Sequence, residues 1–193
     1  MSVDKASLTK TDQNNKLIMS IALPGMKAPE FAGMTTGPKG HNEMHLKDFT
    51  SNGSWCLLFF YPMDFGYISP SELLALSSIK KDLDDLNCNL LACSTDSAVV
   101  HNKFLSVAPE EGGVKGLSFS LLEDVNGEIA EKYGILRKDS GYTFRGYFLI
   151  DSEGIIRMRT IYDLPVGIGC ERLPETIKAV QDALGEDSWF ETI

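Results

Sequence analysis

Ser69 and Glu72 stand three residues apart where a Pro-led loop, Pro62 to Ile68, gives way to a helical pattern opening at Ser69-Pro70. A hydroxyl at the positive end of a helix has two uses. As a nucleophile it needs a dedicated base, because serine holds its proton far above neutral pH, and no such base is identifiable beside Ser69. As a cap it needs nothing more. Ser69-x-x-Glu72 has the form of a capping box, Pro70 suits the first helical position, and the hydroxyl then satisfies an orphan N–H worth about 1 kcal/mol. These residues by themselves predict a cap.

Cys56, Cys88, Cys93 and Cys170 are the thiols available for chemistry. They form no C-x-x-C pair and have no histidine cluster nearby, so neither zinc nor any other metal is expected, and nothing calls for a cofactor. Cys88 and Cys93 fall on one predicted strand, five residues apart. That is roughly 16 Å, on opposite faces and beyond bridging reach. Cys56, Cys88 and Cys93 read as core. Cys170 is either a substitute nucleophile or a small buried hydrophobe, the commoner occupation. Reduced thiols are the default in a reducing compartment, so a cytoplasmic location is expected.

The elements that must position these groups alternate in period. Trp55 to Tyr61 is a continuous apolar run, as in a central strand covered on both faces. From Pro70, Leu73, Leu76, Ile79, Leu83 and Leu86 recur at helical spacing, with Lys80, Lys81, Asp82, Asp84 and Asp85 turned outward. Cys88 to Ser94 is again short and apolar, so strand, helix and strand read as a βαβ unit in a parallel sheet. Helices are predicted over residues 98–108, 126–133 and 174–184, and a hairpin turns at Asp151-Ser152-Glu153-Gly154 between 144–150 and 155–161. The expectation is one α/β domain over residues 21–185, a mobile tail over 1–20 with no secretory signal, and a short tail over 186–193.

Length and charge set outer bounds. A chain of 193 residues suits one domain with a sizeable core. A formal charge of −9 argues against nucleic-acid or anionic-membrane partners, which need clustered Lys and Arg, and no apolar run approaches the roughly 20 residues of a membrane span.

Several stretches in a fixed order carry a resemblance: Ala28-Pro29-Glu30-Phe31, Leu58 to Phe65, Ser69 to Glu72, Ser94-Thr95-Asp96-Ser97 with His101, Tyr133 to Leu136, Arg145 to Asp151, and Leu164-Pro165-Val166-Gly167. Together they resemble the typical 2-Cys peroxiredoxins, the alkyl hydroperoxide reductase and thiol-specific antioxidant family, from about Gly25 to Gly185. The resemblance implies a thioredoxin-like fold, a central mixed sheet flanked by helices with the family's additions. It also implies thioredoxin-dependent reduction of hydrogen peroxide and alkyl hydroperoxides. In that family a loop of the form Pro-x-x-x-Thr-x-x-Cys-Pro presents the reactive cysteine, and an arginine from a later strand faces it. Pro62 matches the loop proline and Arg145 the arginine. The threonine position is Gly66 and the cysteine position is Ser69. The resolving cysteine near the C-terminus falls at Ser188, and the second arginine, after the Pro-Val-Gly motif, falls at Ile168.

The resemblance therefore implies a device with its parts removed. A cysteine at a helix N-terminus beside an arginine becomes a thiolate near neutral pH, whereas serine has no counterpart of the sulfenic acid step. His101 is the candidate base in the matched region, and the family pattern does not aim it at the loop. The leading expectation is a non-catalytic homologue with a scaffold, chaperone-like or binding role. One alternative is an active thiol peroxidase carrying laboratory Cys-to-Ser replacements; Gly66 and Ile168 speak against it, since trapping an intermediate requires neither change. The other is residual thiol chemistry through Cys170. Arg145 has either a retained anion or peroxide to hold or a structural partner, Glu72 or Asp64. A homodimer through the strand 155–161 is implied, with a ring of dimers in doubt because Gly66 loosens the loop, and with a thioredoxin-type reductant only if the chain is active.

Overall fold

Alternation along one strand decides the architecture. Leu57, Phe59 and Tyr61 belong to one buried cluster, Cys56, Leu58 and Phe60 to another, and all six are fully buried. A strand whose successive side chains enter two cores must lie inside a sheet covered on both faces. The computed structural model describes residues 22–185; the two expected tails and Ser188 lie outside the described residues.

The strands are Ala32–Gly37 (β1), Gly40–His45 (β2), Trp55–Phe60 (β3), Cys88–Ser94 (β4), Ser120–Glu123 (β5), Arg145–Ile150 (β6) and Ile156–Tyr162 (β7). The helices are Leu46–Thr50 (α1), Ser69–Ser78 (α2), Lys80–Asp85 (α3), Ala98–Ser106 (α4), Glu128–Lys132 (α5) and Leu173–Gly185 (α6). The sheet order is β2-β1-β5-β4-β3-β6-β7. β3, β4 and β5 run parallel, and the remaining pairings are antiparallel. This is the expected mixed α/β sheet. The first core takes Leu73 and Leu76 from α2, Phe104 from α4 and Ile177 from α6; the second takes Ile129 and Ala130 from α5. Cys88 and Cys93 enter different cores, as their odd spacing requires, and all four cysteines are free and buried.

The single helix expected from residue 70 to 86 is two. α2 ends at Ser78, and Ile79, with φ −95° and ψ 3°, joins it to α3. Serines at the junction give the reason. Ser78 Oγ donates to the Ala75 carbonyl at 2.7 Å and so competes with the helical ladder, while Ser77 Oγ, 2.7 Å from Ser118 Oγ, ties the end of α2 to the segment before β5. β1, β2 and β5 have no strong apolar alternation and were not expected.

Candidate functional site

The loop between β3 and α2 is held from behind by buried polar groups. Tyr61 Oη donates to Asp64 Oδ1 at 2.7 Å, and His101 Nδ1 of α4 lies 2.8 Å from Asp64 Oδ2. His101 Nε2 is 3.3 Å from the Leu122 carbonyl, Asp64 N donates to Asp96 Oδ2 at 2.7 Å, and Thr143 Oγ1 donates to the Tyr61 carbonyl at 2.7 Å. His101 is thus fully engaged beneath the loop and is no base for Ser69. Asp64 belongs to His101 and Tyr61, and is not the partner of Arg145. Sequence reading missed this network, although Asp64, Asp96 and His101 each sit in the stretches that carry the resemblance.

Above that floor the chain turns sharply. Phe65 has φ +55°, a left-handed conformation uncommon for a bulky side chain, and its ring packs on Phe104 at 4.8 Å between centroids. Tyr67 is fully exposed, whereas Pro62 is buried.

Ser69 does not cap the helix. It is the first residue of α2, with Ile68 preceding it in helical conformation, and no side chain caps the start. The Ser69 hydroxyl is completely buried and, among the described residues, has no hydrogen-bond partner. A capping box needs Glu72 to reach back to the start of the helix, but its carboxylate is taken elsewhere. Oε1 accepts from Ile168 N at 2.8 Å, and Oε2 pairs with Arg145 Nη1. Burial pushes the Glu72 carboxyl upward, with the Ile168 N–H and the Arg145 guanidinium pulling against it.

Arg145 opens β6 and is buried; its Nε also donates to the Leu164 carbonyl at 2.9 Å. Arg145 and Glu72 together strap the segment Leu164–Ile168 onto α2. The Ile168 side chain joins the first core, so that position supplies packing and a backbone N–H.

Gly66 faces Ser69. A Cβ built there lies 3.2 Å from Ser69 Oγ and 3.3 Å from both Met63 Cγ and the Met63 carbonyl oxygen, so a side chain at this position needs its neighbours to give by a few tenths of an ångström. The structure therefore brings Gly66, Ser69, Glu72, Arg145 and Ile168 into one neighbourhood. Cys170 lies at its margin, with Sγ donating to the Ile168 carbonyl at 3.4 Å. Burial pushes this thiol up to about 12, with the Glu72 and Glu171 carboxylates adding to the effect, so at neutral pH it is a protonated hydrophobe. Cys88 is likewise pushed up to about 12 by burial, and burial holds Cys56 and Cys93 well above their ordinary value.

A mixed sheet with this loop, and an arginine–carboxylate pair at the head of the following helix, is the architecture of the peroxiredoxin group. Among solved structures, the chain is similar to reduced 2-Cys peroxiredoxin from Plasmodium vivax, with a TM-score of 0.80 and 28% identity over 88% of this chain and 90% of that one. It is also similar to AhpC from Enterococcus faecalis, with a TM-score of 0.80 and 26% identity over 86% of this chain and 96% of that one. Peroxiredoxin-2 from Rattus norvegicus is 36% identical over 157 residues, covering 81% of this chain and 78% of the relative. Thioredoxin peroxidase from Echinococcus granulosus is 38% identical over 160 residues, covering 83% of this chain and 82% of the relative. The family pattern matches residues 24–159, and the chain belongs to the AhpC/TSA family.

Proposed function

We propose that this chain is a non-catalytic member of the AhpC/TSA family, in which Ser69 occupies the place of the reactive cysteine and the remaining framework serves as a scaffold or binding module. The observation that carries the reading is the Ser69 hydroxyl: buried at the head of α2, without a partner or an activating base among the described residues. Gly66 and Ile168 replace the family's threonine and second arginine. Ser188 stands for the resolving cysteine in the short tail beyond residue 185. The test is consumption of hydrogen peroxide in an assay coupled to thioredoxin, thioredoxin reductase and NADPH. The expected rate equals that of a blank without the protein, and turnover at rates ordinary for the family overturns the reading. A cysteine codon at residue 69 of the source gene would instead identify a laboratory variant of an active peroxidase.

Assembly and location follow the same reading. We infer one domain over residues 21–185 and a homodimer formed through β7. Among the described residues β7 is one of two sheet edges; Gly25 and Met26 cover its first residue, Ile156, and the stretch beyond it, Arg157 to Ile161, is half-buried, whereas the other edge, β2, is mostly exposed. The open part of that edge, from Arg157 to Tyr162, has backbone groups free to pair with a second strand. Sedimentation is expected to give twice the chain mass of 21.3 kDa, and a monomer at micromolar concentration counts against the pairing. Four free thiols fit a reducing, cytoplasmic setting. Among the described residues no helix is long and apolar enough to cross a membrane.

A further inference from the structure

A cavity of about 180 Å³ lies at the far end of α2 from Ser69, under the β1–β2 hairpin. With ten residues at about 1.5 Å each, α2 separates the two places by roughly 15 Å. Met44, Phe49, Leu90 and Phe119 give it an apolar lining. Lys39 and Lys80 also line it, with Asn89 and Ser120, and among the described residues no carboxylate does. That is the reverse of the chain's overall balance of −9.

The walls are fixed before any ligand arrives. Thr35 Oγ1 donates to the Asn42 carbonyl at 3.1 Å and Asn42 Nδ2 to the Lys39 carbonyl at 2.9 Å, which sets the hairpin. Asn89 Nδ2 donates to the Phe49 carbonyl at 2.7 Å and ties α1 to β4. The Ser77–Ser118 pair holds the approach to β5. Gly37 lets the hairpin close down, since a Cβ there would lie 2.7 Å from Ser120 Cα.

Charge selects the ligand. Lys80 is already paired with Asp84, and its side chain is only 19% exposed. None of the ion pairs among the described residues involves Lys39. Among the described residues one uncompensated cation therefore lines a space that also has apolar lining and is too small for a nucleotide. We propose that this cavity is a binding site for a small organic monoanion, a carboxylate carried on a flat apolar body. Lys39 holds the charge and the apolar lining covers the body.

Benzoate is the probe, with benzamide as its neutral counterpart and inorganic phosphate as an anion without an apolar part. Backbone amide shifts are followed by ¹H–¹⁵N NMR on the full chain. Benzoate is expected to shift the amides of Asn42, Asn89 and Ser118–Ser120 and to saturate at about 1 mM, the affinity a ligand of that size reaches. Benzamide, and benzoate with Lys39→Met, are expected to bind at least about tenfold more weakly. Lys39 is exposed, so this variant keeps the fold, and Lys39→Arg is expected to retain binding. Equal binding of benzamide, tighter binding of phosphate, unchanged affinity in Lys39→Met, or benzoate shifts that fail to saturate or gather elsewhere would each overturn the site.

Discussion

Ser69→Cys is expected to turn an inert hydroxyl into a thiol that hydrogen peroxide oxidises. The exchange loses no hydrogen bond, because the Ser69 hydroxyl has none among the described residues. The new sulfur begins a ten-residue helix, where the dipole favours an anion, while burial acts in the opposite direction. Arg145 contributes less than a free guanidinium would, since Glu72 already shares its charge. Adding Gly66→Thr places a hydroxyl beside the new thiol, since a Cβ there lies 3.2 Å from the side-chain atom at position 69 and the threonine Oγ is then within reach of the sulfur. The backbone at Gly66 is not left-handed, so the substitution brings no strain of that kind, and it is admitted if Met63 and the residue at 69 shift by a few tenths of an ångström. The single variant is expected to form sulfenic acid slowly. The double variant is expected to react at least about tenfold faster, with its thiol titrating below the free value of about 8.5. Iodoacetamide alkylation across pH, and mass spectrometry after a peroxide pulse, measure both. A double variant that titrates at or above about 8.5 and gains no oxygen would mean that the pocket has decayed beyond its nucleophile.

Glu72→Gln is expected to cost about 3–5 kcal/mol, because it leaves Arg145 charged and buried without its carboxylate. At about 2–4 °C per kcal/mol for a chain of this size, the melting temperature falls by roughly 6–20 °C. The side chain keeps its shape, so the loss reports charge more than packing. Replacing both partners, Glu72→Gln with Arg145→Met, is expected to recover a large part of the drop by removing the orphaned charge. A melting temperature within about 2 °C of the parent in the single variant would show the pair to be solvated and of little weight.

The two variants expose the limit of local reading. Ser69-x-x-Glu72 predicts a cap because that pattern stays within one turn. Glu72 instead answers to Arg145, 73 residues away, and to Ile168, 96 residues away. Charge at close range outcompetes a neutral cap once burial makes an unpaired arginine expensive. The central strands and the β6–β7 hairpin were legible, since a strand buried on both faces is apolar throughout and Gly154 marks the turn. β1 and β2 were not: Ala32-Gly33-Met34-Thr35-Thr36-Gly37 takes its place in the sheet through small residues that admit a neighbour, as at Gly33 beside Leu122. Pairing alone defines them.

β3 lies between β4, which follows it within about forty residues, and β6, which arrives only after residue 144. During synthesis the most apolar strand of the protein waits with one side open while some eighty further residues emerge from the ribosome, a delay of several seconds at about 5–20 residues per second. Cys56 to Phe60 is exposed to aggregation throughout that interval. The nascent chain is thus expected to be most prone to aggregation between the completion of Ser94 and the arrival of Ile150.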